Sequence, residues 1–145
     1  MINWILTGVF TDILGLSINN KPITLELLLG YVLSPIAFII GVPWQDSVTV
    51  GSLIGQKVVL NEFIAYLNLS ALLPTGVLSE KAVIISTYAL CGFANFSSIA
   101  IQIGGIGGIA PNRRTDLARF GLRAVLGGSL ATFMTATIAG VLITF

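Results

Sequence analysis

The stretch WQDSVTVGSLIGQKVVLNEFIAYLNLSALLP, residues 44–74, decides the fold of this chain. Two apolar pieces of roughly a dozen residues flank a polar patch formed by Gln56, Lys57, Asn61 and Glu62. At about 1.5 Å per residue, each piece as a helix reaches only about halfway across a hydrocarbon core of about 30 Å. We therefore predict a re-entrant helical hairpin whose polar tip lies near the middle of the membrane. The alternative is one tilted helix of about 30 residues with snorkelling charges. A separate structural reading of Glu62 is that Lys57, five residues upstream, neutralises it.

Composition places the remainder of the chain in lipid as well. The 145 residues are 55% hydrophobic and only 9% charged, with 7 Lys and Arg, 6 Asp and Glu, and no His. Soluble domains carry about a quarter charged residues, so this chain has too little charge to cover a water-facing surface. The net charge of +1 argues against a nucleic-acid partner, and one Cys without His argues against a metal site or an acid–base enzyme. The composition predicts an all-α membrane protein that is not an enzyme.

Apolar runs and the Pro and Gly residues between them predict five segments. They are the end of a preceding apolar or transmembrane helix at 1–16, a kinked or interfacial helix at 23–42, the re-entrant hairpin at 44–74, an interrupted transmembrane helix at 82–110 and a C-terminal transmembrane helix at 116–145. The kink is expected because Pro35 lies mid-segment and removes a backbone hydrogen bond. Together these segments form one domain.

The interrupted helix is predicted from its polar centre. The sequence GFANFSS, residues 92–98, falls about halfway along an otherwise aliphatic run. Gly costs about 1 kcal/mol in a helix interior, and unwinding there frees backbone groups that need partners. Broken helices with polar centres form substrate sites in transporters, so the whole group favours a binding site. Ser97 alone is explained more simply by a bond to a neighbouring helix.

Glu62 is the residue that says most about a ligand. An acid near the middle of a membrane costs several kcal/mol, and such residues usually face a cavity or pathway. Hydrogen bonds to a charged acceptor contribute about 1.5 to 3 kcal/mol each, so an ionised Glu62 suits a neutral, hydroxyl-rich ligand. Asn95 and Ser98 offer further donors and acceptors, and Phe93 or Phe96 a flat face for a ring. A sugar joined to an aromatic base would satisfy this set.

Four arginines set the expected orientation. Arg113, Arg114, Arg119 and Arg123 fall in the sequence PNRRTDLARFGLR, which we take as the loop between the last two spans. Basic loops stay in the cytoplasm, so the segment from Arg113 to Arg123 is predicted to be cytoplasmic and the C-terminus external. Within this loop Asp116 and Arg119 are predicted to form an exposed ion pair that adds little stability.

Two motifs carry a family resemblance. The pattern G-x-K-x-x-x-N-E-F at residues 55–63, combined with G-F-A-N-F-S-S at residues 92–98, resembles the C-terminal region of the concentrative nucleoside transporters. These are sodium- or proton-coupled nucleoside symporters, and the resemblance extends from about Thr24 onward. It implies the second inverted repeat of a transporter, in which the re-entrant hairpin and the interrupted helix meet at the nucleoside site.

The resemblance also implies roles for individual residues. Glu62 at the hairpin tip, together with Asn95 and Ser98 in the broken helix, would bind the ribose hydroxyls of the nucleoside. Phe93 would line the site near the base. No catalytic residue or metal ligand is implied in this chain.

The resemblance covers the second repeat of the transporter and does not include the first repeat. The sodium site is expected in that N-terminal half. The coupling ion is sodium or a proton, and the hypothesis that Glu62 carries a coupling proton stays open. The implied partners are a nucleoside, the lipid bilayer and the N-terminal half, with a homotrimer for the full-length protein in the plasma membrane. The chain is thus predicted to be an incomplete transport domain, the C-terminal half of a cation-coupled nucleoside transporter. The alternative is a non-transporting membrane fragment or interaction subunit that keeps only the packing motifs.

Overall fold

The computed structural model describes residues 2–9, 17–18 and 21–143, and these form a helical protein. The elements are α1 Ile2–Leu6, β1 Ser17–Ile18, β2 Lys21–Pro22, α2 Leu25–Ile39, α3 Trp44–Val59, α4 Glu62–Leu72, α5 Glu80–Leu90, α6 Phe96–Ile109 and α7 Arg114–Leu142. Short 3-10 turns precede α5 and α7, at Leu73–Thr75 and Pro111–Arg113. The two-residue strands pair antiparallel, Ser17 with Pro22. Apart from this pair, the predicted all-α fold is confirmed.

The first helix packs against the start of α2. Residues 2–9 are helical, while residues 10–16 of the predicted N-terminal segment lie outside the described residues. Asn3 Nδ2 donates to both carboxylate oxygens of Glu26, at 2.9 and 2.8 Å, and Asn3 Oδ1 accepts from the Leu25 amide at 2.9 Å. The Leu25 amide is one of the donors that a helix start leaves unpaired, so Asn3 completes the N-terminus of α2.

α2 continues through Pro35, and the sharp change of direction comes after it. Pro35 leaves the carbonyl of Tyr31 without its helical donor, and the Ser34 hydroxyl donates to that oxygen at 2.9 Å. Gly41, with a φ of 102°, and Pro43 follow in the link to α3. Across this link the two helices meet at 117°. The bend therefore lies in the link between α2 and α3.

Glycines let α2 and α3 approach closely. A Cβ on Gly51 would lie only 2.7 Å from the carbonyl oxygen of Gly30 and 2.9 Å from the amide nitrogen of Ser34. A Cβ on Gly55 would lie 2.6 Å from Cβ of Leu29. Small residues are the usual means of close helix packing in lipid. The contact fixes α3, the first arm of the hairpin.

The predicted hairpin segment consists of two helices and not of one long tilted helix. α3 ends before Leu60, and Asn61 caps α4, its Oδ1 accepting from the Ile64 amide at 2.9 Å. At the other end of α3, the buried carboxylate of Asp46 accepts from the amide and the hydroxyl of Ser79, at 3.2 and 2.5 Å. The last bond ties the residue that caps α5 to the start of the hairpin.

The interrupted helix is divided into α5 and α6 by residues 91–95. Gly92 has a φ of 108°, a conformation that favours glycine and stops α5. α7 packs along both α5 and α6. Within the described residues, Pro111–Leu142 is the one helix long and apolar enough to cross a membrane, and α2 with α3 meets the same criteria as a bent pair.

The core lies between α2, the hairpin, α5 and α7, whereas the far side of α7 is apolar and exposed. Buried core residues include Val50, Leu53, Ile54, Ala65, Leu69, Ile85, Ala89, Leu90 and Ala136. Exposed residues four apart along α7 are Leu122, Leu126, Leu130, Met134 and Ile138. An exposed apolar stripe of this length suits contact with lipid chains.

The sequence analysis expected the arginine-rich segment to be a loop, and this expectation is wrong. Only its first few residues precede the helix α7. α7 begins at Arg114, so Arg119 and Arg123 lie on the helix. Leu, Ala and Arg are good helix formers, and Asp116 in the first turn favours a helix N-terminus. The predicted pairing with Arg119 is also wrong, because Asp116 pairs with Arg113 at 2.9 Å. Both partners are exposed, so the pair adds little stability.

Substitution of Gly51 tests the glycine contact between α2 and α3. We expect Gly51→Ala to lower the free energy of unfolding by about 1 to 3 kcal/mol, because the added methyl group meets backbone atoms. Gly127→Ala is the matched control, since a Cβ there meets nothing within 4 Å. Thermal unfolding of the chain in detergent, followed by circular dichroism, compares the two. Equal melting temperatures would contradict the packing described.

Candidate functional site

The C-terminal end of α5 is held by side chains from both arms of the hairpin. The last carbonyls of a helix lack amide donors and need other partners. The hydroxyl of Tyr66, on α4, donates to the Thr87 carbonyl at 2.6 Å. The ammonium of Lys57, on α3, donates to the Ala89 carbonyl at 3.1 Å. The hairpin therefore supplies donors where the broken helix has lost its own.

The N-terminal end of α6 is capped by Asn95, which is 1% exposed. Its Oδ1 accepts from the Ser98 amide and hydroxyl, both at 2.8 Å, and from the Ser97 hydroxyl at 2.7 Å. Its Nδ2 donates to Oε2 of Glu62 at 2.8 Å. Reversing the amide would oppose oxygen to oxygen at Glu62 and nitrogen to the helix amide, so the bonds fix its orientation. Asn95 thus joins the broken helix to the hairpin tip.

Glu62 lies at the start of α4 and faces the start of α6. As the first residue of α4 it gains from the partial positive charge of that helix end. The side chain is half-buried, and only Oε2 is bonded to Asn95. Within the described part of the chain Oε1 has no hydrogen bond. One carboxylate oxygen is therefore available to a ligand.

Phe93 lies within the break, and Ser98 lies in the first turn of α6. The Ser98 side chain is buried, and the single hydrogen of its hydroxyl has two acceptors within hydrogen-bond distance, the Phe93 carbonyl oxygen and Oδ1 of Asn95. Phe93 is 72% exposed. Both residues line a cavity of about 330 Å³ between the break, α6 and α7, but Glu62 does not line it. A cavity of this volume is at the lower end of the range for small-molecule sites.

Lys57 is the residue whose role the sequence analysis missed. Its hydrogen bonds go to Ala89 and to the hydroxyl of Thr132 at 3.2 Å, rather than to Glu62, and its ammonium lies 5.9 Å from the centre of the Phe133 ring. Within the described residues Lys57 and Glu62 thus form no direct ion pair. The signal available in the sequence was a lysine beside apolar residues. It did not reveal the partners of Lys57, because these belong to distant parts of the sequence.

The geometry defines a class of protein. A hairpin whose polar tip meets the unwound centre of a broken helix is an arrangement of secondary transporters, in which half-helix ends point at the substrate. Residues 1–140 match the family model described as Na+ dependent nucleoside transporter C-terminus. The chain belongs to this family, which comprises transporters and not enzymes, as the sequence analysis predicted. It is accordingly a membrane protein.

Individual relatives agree with this assignment. The transporter YutK of Bacillus subtilis is 55% identical over 143 residues, which are 99% of this chain and 34% of YutK. Nucleoside permease NupC of Helicobacter pylori is 47% identical over 126 residues, 85% of this chain and 30% of that protein. A structure of CNTnw in an inward-facing substrate-bound state superimposes with a TM-score of 0.88 at 47% identity, covering 97% of this chain and 33% of CNTnw. The chain spans about a third of the length of these relatives.

Replacing Asn95 with Asp distinguishes its role as the cap of α6 from its hydrogen bond to Glu62. Asp caps a helix about as well as Asn, so Asn95→Asp keeps the cap on α6 but opposes a second carboxylate to Glu62. We expect a loss of about 1 to 3 kcal/mol of stability near neutral pH.

Asn61→Asp is the matched control, because Asn61 caps α4 but Asn95 is the residue that bonds Glu62. Thermal unfolding of both variants in detergent gives the comparison. An unchanged melting temperature for Asn95→Asp, or the same loss at position 61, would contradict the bond to Glu62.

Proposed function

We propose that this chain forms part of the nucleoside site in the C-terminal half of a cation-coupled nucleoside transporter. Glu62, with Asn95 and Ser98, binds the ribose hydroxyls, and Phe93 lies beside the base. The observation that carries the proposal is the bond between Asn95 and Glu62, which leaves one carboxylate oxygen of Glu62 unbonded. The name of the Helicobacter pylori relative, a nucleoside permease, supports the choice of substrate.

The chemistry of Glu62 favours a ligand with neighbouring hydroxyl groups. A carboxylate accepts hydrogen bonds but donates none, so it selects ligands that present donors. In a site with little water, a ligand without the hydroxyl leaves this charge unpaired, which gives strong discrimination. Nδ2 of Asn95 uses one hydrogen on Glu62, and under the proposal its second hydrogen is donated to the ligand when the site opens to admit it. Ribose presents two adjacent hydroxyls to such a pair.

Phe93 and Ser98 extend the site toward α7. The exposed Phe93 ring offers an apolar face for an aromatic base, which prefers offset stacking or an edge contact. The Ser98 hydroxyl is bonded within the break, so it meets the sugar by turning from the Phe93 carbonyl toward the ligand. The cavity that both residues line gives this part of the ligand room.

The proposal also includes an orientation of the chain in the membrane. The arginines at the start of α7 lie on the cytoplasmic side of the plasma membrane, by the rule that basic segments stay inside, and the C-terminus is external. The N-terminal half of the transporter supplies the complementary surface and the sodium site, and the coupling ion is sodium or a proton. The complete protein assembles as a homotrimer.

A chimaera tests the proposed substrate site. The segment of Helicobacter pylori NupC that this chain matches is replaced by this chain, and uptake of labelled uridine is measured in cells without other nucleoside uptake. We expect Glu62→Gln to lower uptake by about tenfold or more, because the amide retains an acceptor for Asn95 but loses the charge that binds hydroxyls. Competition by 2′,3′-dideoxyuridine should become nearly as strong as competition by uridine.

Glu80→Gln is the matched control, since Glu80 is likewise the first residue of a helix but is exposed and distant from the break. It should leave uptake unchanged. Wild-type uptake and unchanged competition in the Glu62→Gln chimaera would refute the ribose assignment. A chimaera with the native chain that is correctly inserted but takes up no uridine would instead support a non-transporting fragment.

A further inference from the structure

Lys57 is a buried charge in a protein that has few charges. Its side chain is 0% exposed, and it is the largest fully buried side chain in the part of the chain that the structure describes. An ammonium removed from water without compensation is strongly destabilising, so a lysine at this depth needs well-placed acceptors. The proposed ribose contacts make no use of it, yet it lies one turn from the hairpin tip.

Both hydrogen-bond partners of Lys57 are acceptors. Ala89 lies in the last turn of α5, where the carbonyls carry the partial negative charge of the helix. The Thr132 hydroxyl donates its own hydrogen to the Ser129 carbonyl at 2.9 Å, so its oxygen accepts from Lys57. The Phe133 ring, 5.9 Å away, adds the attraction of its face for a cation. The surroundings are those of a cation site.

The position of this cation relates it to the substrate site. The unwound ends of broken helices bind inorganic cations in transporters, through carbonyl groups. Here an ammonium on the hairpin reaches the carbonyl end of α5, while Glu62, on the same hairpin, reaches the amide end of α6 through Asn95. The positive charge of Lys57 therefore lies at the carbonyl end of α5, and the negative charge of Glu62 acts through Asn95 at the amide end of α6. Each helix end carries the partial charge opposite in sign to that of its side chain.

We propose that Lys57 is a positioning residue, a tethered cation that replaces an inorganic ion at the end of α5. By joining α3 to α5 and α7, it holds the break in the geometry in which Asn95 reaches Glu62. Lys57 itself does not touch the substrate. Its effect on uptake rests on the proposed function, whereas its effect on the break does not.

The single cysteine of the chain provides a probe at the break. Cys91 is exposed and directly follows α5, so a trifluoromethyl label on its thiol reports the local geometry by fluorine NMR. We expect Lys57→Ala, in detergent, to shift the resonance or add a second one. Methylammonium should restore the native resonance by filling the vacated space with a cation. Acetamide, which donates hydrogen bonds without charge, should not.

Two controls keep this test independent of folding failure. Lys81→Ala removes a lysine near the opposite end of α5 and should leave the resonance unchanged. If Lys57→Ala does not fold, Thr132→Val removes one acceptor while retaining the ammonium, and should also shift the resonance. Thr135→Val, whose hydroxyl bonds to the carbonyl of Ala131 on the exposed side of α7, is its matched control.

Uptake by the NupC chimaera provides the second measurement. Lys57→Ala should lower uridine uptake by about tenfold or more, and methylammonium should restore part of it. An unshifted resonance in both Lys57→Ala and Thr132→Val overturns the proposal, as does equal rescue by acetamide. If the native chimaera takes up no uridine, the proposed function fails, but the resonance of Cys91 still decides the role of Lys57.

Discussion

The structure depends on how the hairpin tip satisfies a broken helix in apolar surroundings. Breaking a helix leaves carbonyls at one end and amides at the other, and lipid offers neither end a partner. Lys57 and Tyr66 donate to the carbonyl end of α5, whereas Asn95 caps α6 and bonds Glu62. The hairpin is held in the position from which it makes these bonds by the close packing of α2 against α3. The hydrogen bond between Asp46 and the residue that caps α5 has the same effect.

This arrangement gives Glu62 two tasks under the proposed function. One carboxylate oxygen holds Asn95, and the other is open to the ligand. A nucleoside that bonds to Glu62 would therefore act on the hairpin and, through Asn95, on the broken helix at the same time. In transporters that move such units against a scaffold, a shared group of this kind couples occupancy of the site to the position of both elements.

Local features of the sequence predicted the hairpin and the interruption, because each follows from length and polarity. Residues 44–74 are too polar for one span, and the helix is interrupted there at Leu60 and Asn61. The next apolar run is interrupted between Gly92 and Asn95. The partners of Lys57 could not be predicted, since Ala89 on α5 and Thr132 on α7 meet it only in the folded chain. The arginine segment was misjudged because a count of basic residues indicates a side of the membrane but says nothing about whether the backbone is helical.

Amide hydrogen exchange at residues 91–98 tests most directly whether one hairpin tip holds both ends of the break. Exchange is measured for the native chain, Lys57→Met, Glu62→Ala and the double variant. If the contacts act together, each single change raises exchange, and the double variant exchanges no faster than the faster single one. Unchanged exchange in the single variants, or fully additive effects in the double variant, would contradict a break held jointly by Lys57 and Glu62.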